Sequence, residues 1–349
     1  MAKVMPQVPG SAQEFLAERA GDAFYYDPAW LELITSLYGF TFIPLTTTNS
    51  EGHLSGFLPL CALSSPLTGR RLVSLPFSDH CPLVADDEAS ANDLLDQAIA
   101  LAKSQRVRYL ELRAGQNELL ARRDDLVSTN LYGRWLVQLA DDSETVWARL
   151  RPQARRKVKK ARNEGVTIRL AERREEMLEY HRLHLLTRTR KHGMPAQSQR
   201  YFLRLWDTFA PQGKLHLELA EYKGQIIAAH ITTFSGTHAH YMYGAADDRY
   251  LDLAAGYLLT WEAIVRACQL GYRTLDLGRT AYDNPGLMQF KRSWGALEEA
   301  IPYYYYPAVQ GLASTSEKST KYQLLTRCWR RLPLSVAGPL GGYLYRHLG

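Results

Sequence analysis

Apolar residues along this chain follow two periods in a repeating order. Alternating or short continuous runs predict strands at Phe40 to Leu45, at Leu54 to Leu60, and from Leu72 into a loop ending near Cys81. A helix follows over Leu94 to Lys103 and a strand over Tyr109 to Leu112, while Trp135 to Leu139 opens a second half. In that half, Val146, Trp147, Leu150, Ala154, Val158 and Ala161 recur at three- and four-residue intervals behind an Asp142-Ser143 cap, which places them on one helical face. A second helix is predicted over Glu175 to Thr189. His216 to Ala220 and Ile226 to Phe234 form a hairpin, and His240 to Gly244 continues the sheet. Leu253, Tyr257, Trp261, Ile264, Val265 and Cys268 make the stripe of a main helix that Gly271 ends. The strand Tyr272 to Arg279 comes next, then a loop around Asn284-Pro285-Gly286 and a cationic segment with Phe290, Lys291 and Arg292. Tyr303 to Tyr306 is the last strand.

The helix-strand unit occurs twice. Ala98, Ile99, Ala102, Arg108, Leu110, Glu111 and Leu112 match Ala263, Ile264, Ala267, Arg273, Leu275, Asp276 and Leu277 at one constant, ungapped offset. Each unit follows a hairpin, turned at Ser50-Glu51-Gly52 and at Tyr222-Lys223-Gly224. A long-period repeat of one supersecondary unit implies a duplicated domain. The fold class expected is α/β (α+β): two tandem domains over 1–134 and 135–307, mixed sheets flanked by helices, and a linker with a basic amphipathic tail over 308–349.

A chain of 349 residues has room for about two such domains. Four scattered cysteines argue against a disulfide frame or a zinc site and for a reducing, cytoplasmic setting. No apolar run reads as a signal peptide or a membrane span, and no metal ligand set is expected. The net charge of +6 is concentrated. Arg151 to Arg162 holds seven Lys/Arg and no acid, the tail holds a second excess, and the remainder is net acidic. Two local cationic patches point to two anionic contacts.

The segments Arg155 to Ala161, Thr189 to Pro195, Ala228-Ala229-His230, Tyr241 to Gly244, Leu275 to Arg279 and Phe290 to Gly295 occur in the order found in FemABX-like aminoacyl and acyl transferases. These include members associated with exosortase (PEP-CTERM) and exopolysaccharide systems. The second half resembles their GNAT-type acyltransferase domain. A weaker likeness reaches Asp79 and His80, near the family's substrate loop. The resemblance implies two GNAT-like domains with a cleft between them, and transfer of an aminoacyl or acyl group to an amine of a cell-envelope precursor. It implies no tightly bound cofactor. The donor would be aminoacyl-tRNA or an acyl-CoA or acyl-carrier-protein thioester, and the acceptor a nucleotide- or lipid-linked sugar or peptide. A thioester-dependent N-acyltransferase and a non-catalytic scaffold are the alternatives.

Such a transfer needs orientation of two substrates and support for a developing oxyanion. Lys291 is the first catalytic candidate, since the matching family lysine lies at the active cleft. His230 is a candidate base and Tyr243 a cleft residue. Alternation suggests that Tyr241 shares the Tyr243 face. Asp79, His80, Arg155, Lys159, Tyr241, Arg279, Phe290 and Arg292 are substrate-binding candidates. Arg279 could equally pair with Asp276. Thr232 to Ser235 is the region expected to offer an oxyanion N–H. The cationic helix reads as a solvated face or as a contact for tRNA or nucleotide phosphates. A CoA-binding GNAT carries a glycine-rich turn before its main helix. The equivalent stretch here, Arg249 to Gly256, has one glycine and an opposing Asp252. From Leu324 the tail mixes Trp329, Leu332, Leu334, Val336, Leu340 and Tyr343 with arginines, the composition of an interfacial segment peripheral to the inner membrane. Oligomeric state is not legible.

Overall fold

Hairpins with one buried face need a helix to cover it, and the first part of the chain supplies both. The computed structural model describes residues 10–19, 24–66, 69–308 and 320–347. Helices α1 (Gly10–Arg19) and α2 (Pro28–Tyr38) precede strands β1 (Thr41–Thr48), β2 (Leu54–Ser65), β3 (Gly69–Val73) and β4 (Val84–Ala85). Helix α3 (Glu88–Ser104), strand β5 (Tyr109–Leu112), the short α4 (Glu118–Ala121) and β6 (Val127–Thr129) follow. Asp87 starts α3 by accepting the Ser90 N–H at 2.7 Å. Leu94, Leu95, Ala98, Ile99 and Ala102 then bury one face of α3 against Leu58, Leu60, Leu72 and Leu110 of the strands.

The second part runs through β7 (Tyr132–Gln138), α5 (Ser143–Arg149), α6 (Pro152–Asn163), β8 (Thr167–Leu170) and α7 (Glu176–Leu186). A π-helical turn, Thr187–His192, prolongs α7 and ends at Gly193 in the left-handed region. Helix α8 (Gln199–Phe209) leads to β9 (Leu215–Tyr222), β10 (Gln225–Ser235) and β11 (His238–Ala246). After them come α9 (Ala255–Gln269), β12 (Thr274–Ala281), α10 (Pro285–Ser293), β13 (Leu297–Ala300) and β14 (Tyr303–Tyr306). Two helices, α11 (Thr320–Arg331) and α12 (Leu334–Tyr345), close the chain. The linker expected after Pro307 lies largely outside the described residues.

The described residues form two compact units. One holds those of Met1–Gly133, Ala300–Ser314 and Arg346–Gly349, the other those of Arg134–Glu299 and Thr315–Tyr345. The first unit's sheet is ordered β1-β2-β3-β5-β14-β6, with β4 on β2. Strand β14 returns late in the sequence to lie antiparallel between β5 and β6. The other sheet is ordered β13-β7-β12-β11-β10-β9-β8.

The same unit recurs inside each sheet. Three antiparallel strands (β1-β2-β3, then β9-β10-β11) precede a helix and a strand parallel to the third. Leu72 pairs with Leu110 in β5, and Ala239 with Leu275 in β12. Leu110 and Leu275 are equivalent in the sequence repeat, so the repeat marks one structural unit built twice.

In the second unit Val146, Leu150, Ala154, Val158 and Ala161 pack with Leu258, Ile264 and Ala267 of α9 over Ala220, Ala228 and Phe234 of the sheet. The predicted stripe is buried, but on two helices rather than one: Leu150 and Arg151 are extended and Pro152 opens α6, and the cations take the remaining positions. Helices α7 and α8 bring a separate aromatic group, Tyr180, Tyr201 and Phe202, against Tyr243.

Candidate active site

Strands β11 and β12 pair in parallel over His238–His240 and Thr274–Asp276. Beyond that stretch β11 stays with β10 as far as Ala246. One extra residue, Met242, enters β11 at this point, because Ile231 pairs with Tyr243 while Thr232 pairs with Tyr241. A bulge bends its strand, and this one coincides with the end of the β11–β12 pairing. A fork results, with backbone no longer committed to the β11–β12 ladder.

Charged groups collect at the fork. Asp276 is buried and accepts 2.7 Å hydrogen bonds from Arg134 Nε and from the Gly278 N–H. His240 Nδ1 lies 3.6 Å from the same carboxylate. Burial by itself would push this carboxyl up, but Arg134, His240 and the Gly278 N–H outweigh it and hold it well below the usual range. The partner the structure gives Asp276 is thus Arg134 of β7, 142 residues away in sequence, which local reading could not supply. Gly278 takes φ +74°, which lets the chain turn its carbonyl toward α10.

Helix α10 is started by Asn284, which accepts the Leu287 N–H at 3.1 Å, with Pro285 at the first position. Lys291, near its other end, is only 5% exposed. Its Nζ donates to the Gly278 carbonyl at 2.9 Å and to the Arg279 carbonyl at 3.0 Å. Phe290 packs edge-on against Tyr257, ring centroids 5.0 Å apart, and against Trp294. Lys291, Phe290 and Arg279 are therefore brought together, and the lysine is a fixed cation rather than a solvated turn charge.

Other candidates lie elsewhere. The bulge separates Tyr241 from Tyr243, contrary to their expected common face. Tyr241 lies on His230, ring centroids 3.9 Å apart, in the core beside α9. Tyr243 exchanges a 2.8 Å hydrogen bond with Tyr201 of α8. His230 is 1% exposed, neither ring nitrogen has a hydrogen-bond partner, and burial drives its pKa down to about 3. In this environment it is a buried imidazole held in its neutral form. Thr232 to Ser235 all pair with β11, and Thr232 and Thr233 pair with β9 as well. Their N–H groups belong to the ladder, and the opening occurs one strand further on, at the β11–β12 fork.

Arg292 is exposed, pairs with Glu298 at 3.0 Å and covers the Trp135 ring. On α6, Arg155 is half-buried and Lys159 exposed, while Arg162 pairs with Glu262 at 2.9 Å. Asp79 and His80 belong to the first unit. There the Asp79 carbonyl accepts the Tyr303 hydroxyl at 2.7 Å, and His80 Nε2 stands 3.3 Å from the Ala114 carbonyl. Before α9, Arg249 is clamped on Asp247 with a shortest contact of 2.6 Å. Residue-level reading missed Glu218, which is fully buried, accepts the Thr232 hydroxyl and has Arg266 Nε 3.9 Å away. Burial raises its pKa to about 8, against the pull of Thr232 and Arg266.

This fold is of the GNAT type, and residues 148–292 match the acetyltransferase (GNAT) domain family. A lipid II:glycine glycyltransferase of Staphylococcus haemolyticus (strain JCSC1435) is 31% identical over 103 residues, 27% of this chain and 24% of that protein. The chain thus spans about a quarter of the curated relative it matches. The crystal structure of FemX superposes with a TM-score of 0.68 at 16% identity, covering 92% of this chain and 99% of that one. The C-terminal domain of a putative lysylphosphatidylglycerol synthetase from Agrobacterium fabrum gives 0.56 at 15% identity, covering 86% and 94%. The chain is thus similar in fold to FemX and, over a short stretch, similar in sequence to the glycyltransferase.

Proposed function

We propose that this chain is an N-acyltransferase that moves an aminoacyl group from aminoacyl-tRNA to an amine of a peptidoglycan precursor. The observation that carries the reading is Lys291, a cation tied to two carbonyls beside an open strand fork within the GNAT-matching region. The acceptor amine would attack the ester carbonyl of the donor. A C–N bond forms, the C–O bond to the tRNA ribose breaks, and the proton lost by the amine ends on the ribose oxygen. Lys291 would stand near the negative charge that develops on the carbonyl oxygen, already desolvated and oriented before reaction. Asp276, kept ionised by Arg134, would hold the fork in shape. Arg279 and Phe290 would flank the acyl group.

The exposed cations of α6 favour a polyanionic substrate, which suits tRNA or a pyrophosphate-linked acceptor. Binding of CoA is less well served, because Arg249 before α9 is already paired with Asp247. The name of the glycyltransferase relative supports lipid II as the form of the acceptor.

The test is to incubate the purified chain with radiolabelled aminoacyl-tRNA and a lipid- or nucleotide-linked muramyl peptide bearing a free amine. Label should pass into an alkali-stable amide. Amide formation from acyl-CoA or acyl-carrier protein alone would assign the thioester alternative. No transfer from any donor would leave the scaffold reading.

A further inference from the structure

The closing helix α12 presents two opposite faces. Ala337 and Gly341 are buried, Gly338 faces Leu185 of α7, and a Cβ at Gly341 would come within 2.9 Å of the Ala196 backbone. Small residues thus let α12 dock at close range on the second unit. Upstream, α11 is tied to the π-helical turn: Arg190 donates to the Arg330 carbonyl, and Arg330 Nη2 donates to the Lys191 carbonyl at 2.9 Å. The tail is packed on its unit.

Across the helix from the buried Ala337 and Gly341 stand Val336, Leu340 and Tyr343, 47%, 39% and 58% exposed. Their spacing of i, i+4 and i+7 makes one continuous stripe. Scattered exposed apolar residues mean little, but a rigid stripe at helical spacing is an interaction surface. Arg327, Arg330 and Arg331, all exposed, precede it on α11, and residues 318–349 contain no Asp or Glu.

We infer that α12 and the end of α11 form a docking surface for an anionic lipid bilayer. Val336, Leu340 and Tyr343 enter the boundary of the acyl region, and Arg327, Arg330 and Arg331 meet lipid phosphates. Charge selects this occupant. An acid-free cationic segment repels a second copy of itself, whereas an anionic leaflet attracts each cation and accepts an aliphatic and aromatic stripe. The helix is docked on the protein and too short to cross a bilayer, so contact is confined to one leaflet. This inference does not depend on the catalytic reading.

The test is flotation of the full chain with vesicles of phosphatidylcholine alone or with 30% (about one lipid in three) phosphatidylglycerol. The protein should float with the anionic vesicles, and added salt should release it. Val336→Ser/Leu340→Ser/Tyr343→Ser and, separately, Arg327→Glu/Arg331→Glu should each weaken the partition by about tenfold or more while leaving the thermal midpoint unchanged. Both variants change exposed positions, and circular dichroism verifies that they fold. The inference is overturned if the parent stays unbound with anionic vesicles, or if folded variants float as well as the parent. It is also overturned if light scattering shows a dimer that the triple variant dissociates, which assigns the stripe to a second copy.

Discussion

Lys291 combines burial with charge, and its two roles can be measured apart. Replacing it by Met keeps the aliphatic stem and removes the donor to Gly278 and Arg279. Transfer should fall by about 10²-fold or more. Stability should fall by roughly 1–3 kcal/mol, since two half-buried carbonyls lose a charged partner. Turnover per folded molecule, with a denaturation midpoint for each protein, checks both. Parent-like turnover would remove Lys291 from the site.

Glu218 sets a pH dependence. Its folded pKa of about 8 exceeds the ordinary 4.5, so the folded state binds more protons than the unfolded chain between those values. Stability from this group is complete at low pH and declines as pH rises toward 8. His230 and His216, lowered to about 3 and 4, act in the opposite sense below pH 6.5, so the net slope of the parent is mixed. Comparison with Glu218→Gln isolates the carboxyl. The variant should gain on the parent steadily from pH 5 to pH 8, at up to about 1.4 kcal/mol per pH unit, read from urea midpoints across that range. A constant difference would mean that Glu218 is ionised throughout.

At the scale of elements, the second unit depends on two short irregularities. The bulge at Met242 sends Tyr241 and Tyr243 to different surroundings and coincides with the fork. Gly244 makes this work, because a Cβ there would overlap the Tyr241 hydroxyl. Gly244→Ala should displace Tyr241 from His230 and cost about 1–3 kcal/mol, visible as a lower thermal midpoint. The start of α9 is the converse case. Ala254 adopts φ +56°, a left-handed conformation that strains a residue with a Cβ. Ala254→Gly should therefore be neutral or stabilising by about 0.5–1 kcal/mol, although glycine replacement ordinarily weakens a protein. A clear loss of stability would show that the alanine methyl packs better than the backbone is strained.

Over the whole molecule, basicity is divided between α6 and the tail. Helix α6 buries Ala154, Val158 and Ala161 and leaves cations outside, whereas the tail divides these roles between the cationic α11 and the docked α12. On α6, Lys159 and Lys160 are exposed, while Arg162 is occupied by Glu262. Lys159→Glu/Lys160→Glu should weaken tRNA binding and reduce the dependence of log K on log salt by about one per lost contact. Arg162→Gln should change it less. Titrations at two salt concentrations decide, and unchanged slopes would make α6 a solvated face.

The order of elements was legible in the chain because it depends on local periodicity. Apolar residues at three- and four-residue spacing mark α3, α6 and α9, and the constant offset between Leu110 and Leu275 marks a repeated strand in the same parallel pairing. Lys291 and Phe290 were legible through the order of their motifs. Helix α8 was missed, although Ser198 caps it and Tyr201, Phe202, Leu205 and Phe209 form its buried stripe. Tertiary structure alone decided the rest. The Arg134–Asp276 pair joins residues distant in sequence, and β14 reaches the first sheet from the end of the second half. One inserted residue reversed the expected common face of Tyr241 and Tyr243, and burial, which no local pattern reports, keeps the His230 imidazole neutral. Local pattern determined which segments fold, because periodicity is a property of neighbours. Packing determined which side chains meet and which remain charged, because both depend on residues brought from elsewhere in the chain.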